Sequence, residues 1–330
     1  MAGSAFPVDD ARLMTLAGVA YGALEKIPEY LANAELLGGE WSAAWLPAAK
    51  GNPDNLAYLA VNEAKTAAVI AIRGTYPNPL SPIYWENGQQ DSPFGAMVAW
   101  NNHQSAKISG GTQTGFVNLF ALGNDQGQTL ADAVAALDPA IPIIVTGHSL
   151  GGTLAPVVAL WLADNVSGRA IYSVSFAGMT PGNAAFAGLF GPGTALAGRT
   201  RRVFNTLDSV SFGWNQVLAT RNFFEPSPRG GILVKLFLVI AWLRLHFGGY
   251  GYTAIGDAVP LAGAVSDPSQ KHGLISYVIE TLHQHMPDTY LALMNAPALP
   301  FSILFGTLTT DQKSPRNHAP RASALPVYHL

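Results

Sequence analysis

The sequence predicts an α/β fold built on a mostly parallel sheet, and three observations carry that prediction. Ile141 to Val145 is an apolar, β-branched run that reads as a buried strand, and Thr153 to Ala163 follows it with Leu, Ala, Val and Trp at helical spacing. Ala170 to Phe176 reads as the next strand, so strand, helix and strand make a βαβ unit, which needs a parallel sheet and a right-handed crossover. With 330 residues, 49% of them apolar and only 12% charged, the chain has the material for one large core. A single domain over 1–310 is the expected organisation.

Taken in order, residues 9–36 read as helix, with Asp9 or Asp10 as N-cap and Leu13, Leu16, Val19, Ala20 and Leu24 on one stripe. Leu56 to Val61 and Ala67 to Arg73 read as two strands joined at Asn62-Glu63. Residues 76–105 differ in kind: Pro77, Pro79, Pro82 and Pro93 interrupt regular structure, while Tyr84, Trp85, Phe94, Met97 and Trp100 keep the segment apolar. A long loop with that many aromatic groups is expected to pack, as a lid or pocket wall. Gln128 to Leu137 reads as helix and Arg202 to Thr206 as a short strand. Further helices are expected over Gly230 to Phe247, over Lys271 to His283 and from Pro287 to Met294, where Pro287 suits a first turn. The tail 311–330, with Ser314-Pro315, Pro320 and Pro326, is expected to be poorly ordered. There is no internal repeat.

Residues 229–250 hold an apolar run, Ile232 to Phe247, interrupted by Lys235, Arg244 and His246. It is too short and too charged to read as a membrane span. Lys235 and Arg244 fall on opposite sides of a helix, so no clean amphipathic face is apparent. A buried helix is the first reading; a helix beside a lipid-binding mouth or touching a membrane is the second.

Between the strand at Ile141 and the helix at Thr153 stands Gly147-His148-Ser149-Leu150-Gly151-Gly152. A serine at a sharp strand-to-helix turn is held in a strained conformation with its Oγ exposed, and flanking glycines are needed because a Cβ would strike the neighbouring strand and helix. The helix N-terminus also aims unpaired N–H groups at the place where an oxyanion would form. Ser149 is therefore the candidate nucleophile. His148, adjacent to it, reads as a packed structural histidine.

A serine needs a base, and the base needs a carboxylate to hold its tautomer. Asp208 closes the strand-like Arg202-Val-Phe-Asn-Thr-Leu-Asp208 and fits the acid; Asp164, Asp257 and Asp267 read as surface groups. Among later histidines, His246 and His272 sit in or at the start of helices, and His318 and His329 lie in the tail. His283 and His285 remain. His283 reads as closing a helix, and His285 as lying in the loop ahead of Pro287, where a side chain can reach over the sheet edge.

These pieces together resemble a class 3, fungal-lipase-like family of α/β hydrolases, of the bacterial kind, over roughly residues 55–295. The matching segments are Ile70-Ala-Ile-Arg73-Gly74-Thr75, Gly115-Phe116, Gly-His-Ser-Leu-Gly-Gly at 147–152, Arg202-Val-Phe-Asn205-Thr-Leu-Asp208-Ser-Val210, Tyr252-Thr-Ala-Ile-Gly256 and His285 followed by Tyr290-Leu291. Two departures stand out: Thr114 where a histidine is common, and the long insertion between Asp208 and Tyr252. The resemblance implies a three-layer α/β-hydrolase fold and a serine carboxylic-ester hydrolase acting on acylglycerols or related lipid esters through Ser149, Asp208 and His285. It also implies an oxyanion hole from Thr75 and Leu150. A short-chain esterase, a phospholipase and a catalytically silent hydrolase-fold binding protein remain as alternatives. Trp85 is the candidate substrate-contacting residue of the 76–105 segment.

Net charge is −3 with no basic run, which argues against nucleic acid as a partner. The chain has no cysteine, which excludes disulfides, thiolate metal sites and a Cys nucleophile. Neither a metal nor an organic cofactor is implied; the expected partner is a lipid or small ester, with transient contact to a lipid interface. The first ten residues lack a basic n-region and an apolar h-region, so the expectation is a cytoplasmic protein or one secreted without a recognisable signal peptide.

Overall fold

The computed structural model describes residues 6–48, 55–75, 88–101, 103–269, 272–303 and 310–311. In chain order it begins with α1 (Asp10–Val19), α2 (Ile27–Asn33), β1 (Trp41–Trp45), β2 (Ala57–Asn62) and β3 (Ala68–Ile72). A hairpin of β4 (Met97–Trp100) and β5 (His103–Ser109) leads into α3 (Gly110–Phe120) and α4 (Leu130–Ala136). Then come β6 (Ile143–His148), α5 (Leu150–Asn165), β7 (Ile171–Phe176), α6 (Ala184–Gly188) and β8 (Thr200–Asn205). The chain continues through α7 (Gly231–Phe247), β9 (Asp257–Leu261), α8 (Leu274–His285) and α9 (Pro287–Leu293) to the two-residue strands β10 (Phe301–Ser302) and β11 (Thr310–Asp311).

Seven strands form one sheet in the order β1-β2-β3-β6-β7-β8-β9. The first three pair antiparallel, and every neighbouring pair from β3 to β9 is parallel. β6 and β7 are buried at every position, as central strands covered on both faces must be. One face packs on α1, α2 and α9 through Leu13, Leu16, Leu31, Tyr290 and Leu291. The other packs on α3, α4 and α5 through Leu119, Val134, Leu154 and Val158. This is the mostly parallel α/β sheet that the sequence predicted, in the three-layer arrangement that the resemblance implies.

Where the structure departs from expectation, the reason is local. The single helix expected over 9–36 ends at Val19: Asp9 caps α1 by accepting the Arg12 N–H at 2.9 Å, and Pro28 opens a second helix instead of continuing the first. The break carries Tyr21 toward the carboxyl ends of the strands. Asp257 is exposed, as a surface group should be, and opens β9, an edge strand not read from the sequence, where Pro260 needs no ladder partner on its open side. Helix α8 begins three residues later than expected and runs two residues further, so His285 is its last residue, not a loop residue. His283 lies buried within the final turn.

The 76–105 segment divides. Residues 76–87, including Tyr84 and Trp85, lie outside the described residues. Trp100 is no pocket wall: it is 1% exposed, with ring centroids 5.3 Å from Phe116 and 5.7 Å from Phe186, inside the core beside α3. Phe94 and Met97 pack toward α7. Helix α7 is not the buried helix of the first reading either, since only Ala241 and Leu245 are buried along its length. A stretch apolar on nearly every side carries little signal for which side meets protein.

Candidate active site

The turn from β6 into α5 holds Ser149 at φ 60°, ψ −124°, a conformation that costs a non-glycine residue about 1–3 kcal/mol and that the surrounding packing must impose. The crowding is severe. A Cβ on Gly147 would come within 2.4 Å of the Gly151 carbonyl group, and one on Gly151 within 2.1 Å of the Ile72 carbonyl oxygen. Only glycines let β3, β6 and α5 approach this closely. Leu150, the first residue of α5, therefore keeps an N–H with no acceptor inside the helix, right beside the serine.

His285 reaches this serine from the end of α8: its Nε2 stands 2.9 Å from Ser149 Oγ. Its Nδ1 lies 3.1 Å and 3.0 Å from the two carboxylate oxygens of Asp208. Asp208 follows β8 and is fully buried. Beyond the imidazole it accepts three hydrogen bonds, from Val210 N–H at 3.0 Å, Ser211 Oγ at 2.8 Å and the Tyr290 hydroxyl at 2.7 Å. Burial alone would raise this carboxyl; the charge of His285 and the hydrogen bonds from His285, Tyr290 and Ser211 outweigh it and hold Asp208 below the usual carboxylate range.

His148 is buried behind the serine. Its Nε2 lies 2.7 Å from the His285 carbonyl oxygen, which can only accept, so Nε2 carries the proton and Nδ1 accepts from the Tyr21 hydroxyl at 2.9 Å. Burial, and then the neighbouring charge of His285, push His148 down to about 3, and it stays neutral. Asn205 holds the same helix end from the other side, donating from Nδ2 to the Gln284 carbonyl at 2.8 Å and to its side chain at 2.7 Å.

Thr75, past the end of β3, donates its hydroxyl to Asp91 at 2.6 Å. Burial pushes the Asp91 carboxyl up to about 7, against the lowering effects of the Thr75 hydrogen bond and the His285 charge. A cavity of about 270 Å³ opens on these groups. Tyr21, Thr75, Asp91, Ser149 and His285 line its polar side, and Met179, Val210, Trp214, Leu282, Met286 and Ile303 its apolar side. Among the described residues no cluster of three or more His, Asp or Glu could hold a metal ion.

The structure thus brings Ser149, Asp208, His285, Thr75 and Leu150 to one place, while Trp85 falls outside the described residues. Tyr290 and Asn205 stand in the motifs singled out from sequence, yet their contacts to Asp208 and to α8 carry no sequence signal. Tyr21 and Asp91 were missed. They lie in segments read as plain helix and as loop, and only the tertiary fold makes them neighbours of the serine.

Residues 69–213 match the family model described as lipase (class 3). Among solved structures, the M37 lipase superposes with a TM-score of 0.71 at 25% identity, over 87% of this chain and 93% of that one. Lipase II from Rhizopus niveus is 17% identical over 63% of this chain and 77% of its own, with a TM-score of 0.48. A fungal lipase–inhibitor complex is 20% identical over 62% and 72%, also at 0.48. No curated protein matches the chain in sequence. The matched span contains Thr75, Ser149, Leu150 and Asp208, and the M37 superposition extends the likeness over most of the chain. Residues 69–213 of this chain are similar to the class 3 lipases, and with the M37 likeness they mark it as a carboxylic ester hydrolase of α/β-hydrolase fold.

Proposed function

We propose that the chain hydrolyses lipid esters, acylglycerols in the first place, by a serine acyl-enzyme mechanism. The single observation that carries the reading is His285 standing between Ser149 Oγ and the Asp208 carboxylate at hydrogen-bond distance from both, at the floor of a cavity whose other side is apolar. Ser149 Oγ attacks the ester carbonyl carbon and its proton passes to His285 Nε2. Asp208 accepts the Nδ1 proton's hydrogen bond and stabilises the imidazolium so formed. The carbonyl oxygen, now an oxyanion, takes hydrogen bonds from Leu150 N–H and Thr75, each such donor being worth about 2.7–4 kcal/mol in the transition state. Collapse expels the alcohol, which takes the proton from His285. Water then gives a proton to His285 and attacks the acyl carbon; as the acyl–Oγ bond breaks, His285 returns that proton to Ser149 Oγ and the acid leaves.

The apolar side of the cavity, Met179, Val210, Trp214 and Leu282 among others, gives an acyl chain a dry seat and supports a preference for fatty over acetyl esters. The experiment is a series of p-nitrophenyl esters of rising chain length beside emulsified triacylglycerol and phospholipid, run on the parent and on Ser149→Ala. The reading expects hydrolysis that rises beyond acetate, includes triacylglycerol and vanishes in Ser149→Ala. Activity confined to acetate would make the protein a short-chain esterase. Failure of Ser149 to react with an alkyl fluorophosphonate would make it a silent member of the fold.

A further inference from the structure

Helix α7 presents most of its apolar surface to water. Ile232, Leu233, Phe237 and Phe247 are 82%, 69%, 66% and 76% exposed, and Leu236 and Ile240 about half. At 100° per residue the exposed apolar side chains from Ile232 to Phe247 occupy an arc of about 160°, with Arg244 just inside one edge of it and Lys235 beyond the other. The two charges therefore stand near opposite edges of an apolar face and leave its middle apolar. The first turns of α8 extend the surface with Leu274, Ile275 and Val278. The two helices are tied at their N-terminal ends: Gly273 N–H donates to the Arg229 carbonyl at 3.2 Å, and the Phe224 and Tyr277 rings lie 5.2 Å apart.

Charge says what this surface meets. Between Asp208 and Asp257 the chain carries four cations, Arg221, Arg229, Lys235 and Arg244, and one acid, Glu225, whereas the whole chain is net −3. All four cations are exposed, and only Lys235 has an acidic partner, Glu225 at 3.4 Å, among these. A broad apolar arc bordered by basic groups, on a chain otherwise acidic, is the pattern of a helix lying in the headgroup layer of an anionic lipid surface. A second copy of the chain would bring the same cationic border against itself. No helix among the described residues is long and apolar enough to cross a membrane, so α7 would lie in the surface. The surface is also continuous with the site: Trp214 packs in the α7 cluster and lines the cavity, and α8 ends in His285.

We propose that the exposed faces of α7 and the start of α8 form a docking surface for anionic lipid, which seats the cavity against its substrate phase. Docking requires no chemistry, so it is tested apart from the hydrolytic reading, with Ser149→Ala protein. Its co-sedimentation is measured with vesicles of phosphatidylcholine alone and of equimolar phosphatidylcholine and phosphatidylglycerol, with rising salt. Binding to the anionic vesicles is expected to be about tenfold or more tighter than to the neutral ones and to weaken as salt rises. The pair Ile232→Ser and Phe237→Ser, both at solvent-exposed positions, should lower binding about tenfold or more at unchanged circular dichroism. The pair Arg221→Gln and Arg229→Gln should abolish the preference for anionic vesicles. Equal binding to both vesicles, binding indifferent to the serine pair, or a dimer by light scattering that the serine pair dissolves would each overturn the proposal.

Discussion

Replacing Asp208 by Asn tests the reading of the site with the least disturbance of the fold, and the structure dictates what the amide does. Nδ1 of His285 is 3.1 Å from one carboxylate oxygen and 3.0 Å from the other, so either orientation of the amide sets an NH2 group against it. The first oxygen also accepts Val210 N–H, a backbone donor that cannot turn, whereas the second faces the Ser211 and Tyr290 hydroxyls, which can. The nitrogen therefore settles at the second position and donates to Nδ1. That fixes the imidazole proton on Nε2, where it blocks acceptance of the Ser149 proton. A wrong tautomer of this kind reduces kcat by about 10³–10⁴, equivalent to about 4–5.5 kcal/mol in the barrier. KM should hold, because Asp208 is buried and touches no substrate. The folded state should persist with a modest loss of stability, since the amide keeps the shape of the buried carboxylate but gives up the interactions that hold its folded pKa down. The assay is steady-state hydrolysis of p-nitrophenyl butyrate with circular dichroism alongside; a kcat within about tenfold of the parent would refute the assignment of Asp208. The parent has its own signature in acid: with the folded pKa of Asp208 depressed, its contribution to stability is present above the ordinary carboxylate value and is lost as pH falls through the lowered one.

His285→Ala should lose about three or more orders of magnitude in kcat, whereas His283→Ala, a cavity at a 3% exposed position, should lower the unfolding midpoint and leave chemistry within about tenfold; the reverse pattern would move the base to His283. Asp91→Asn tests the carboxyl beside Thr75. Its folded pKa of about 7 lies above the unfolded value, so the ionised fold is penalised progressively between about pH 4 and pH 7 and fully above that. The Asn variant should gain up to about 2 kcal/mol over the parent at pH 8, discounted for water in the cavity, and nothing at pH 4; denaturant melts at both pH values decide it. Gly151→Ala should cost more than about 3 kcal/mol or prevent folding, because its Cβ would lie 2.1 Å from a backbone oxygen that cannot swing aside; a soluble, active variant by size exclusion and ester assay would contradict the packing of the elbow.

What was legible in the sequence was whatever local chemistry enforces. The elbow is written in Gly147, Ser149 and Gly151 because nothing else fits between β3 and α5, and Asp208 follows a strand whose alternation is plain. His285 was found by elimination and by resemblance, yet its setting was misjudged: Lys271 to His283 gave a helical period, and the last two residues before Met286 added no periodic signal. Helix α7 marks the boundary more sharply. Sixteen apolar or basic residues give the existence of a helix, but burial is decided by what else the fold brings alongside, and here that is only the small cluster around Ala241 and Leu245. The same holds for Trp100, which packs between Phe116 of α3 and the sequence-distant Phe186 of α6.

The C-terminal end of α8 does something a helix interior could not. The last carbonyls of any helix lack amide donors from the next turn, and here Pro287, with no N–H of its own, enforces the stop at His285. The acceptors at this end are bound from three directions: the His283 carbonyl, which also takes the Met286 N–H, by the Thr289 hydroxyl, that of Gln284 by Asn205 of β8, and that of His285 by His148 of β6. The residue that bears the general base is thereby fixed through its main chain to the strand leading to the nucleophile and to the strand preceding the acid. Its imidazole is aimed by the backbone, independently of whatever strain reaches the far end of the same helix from a lipid surface.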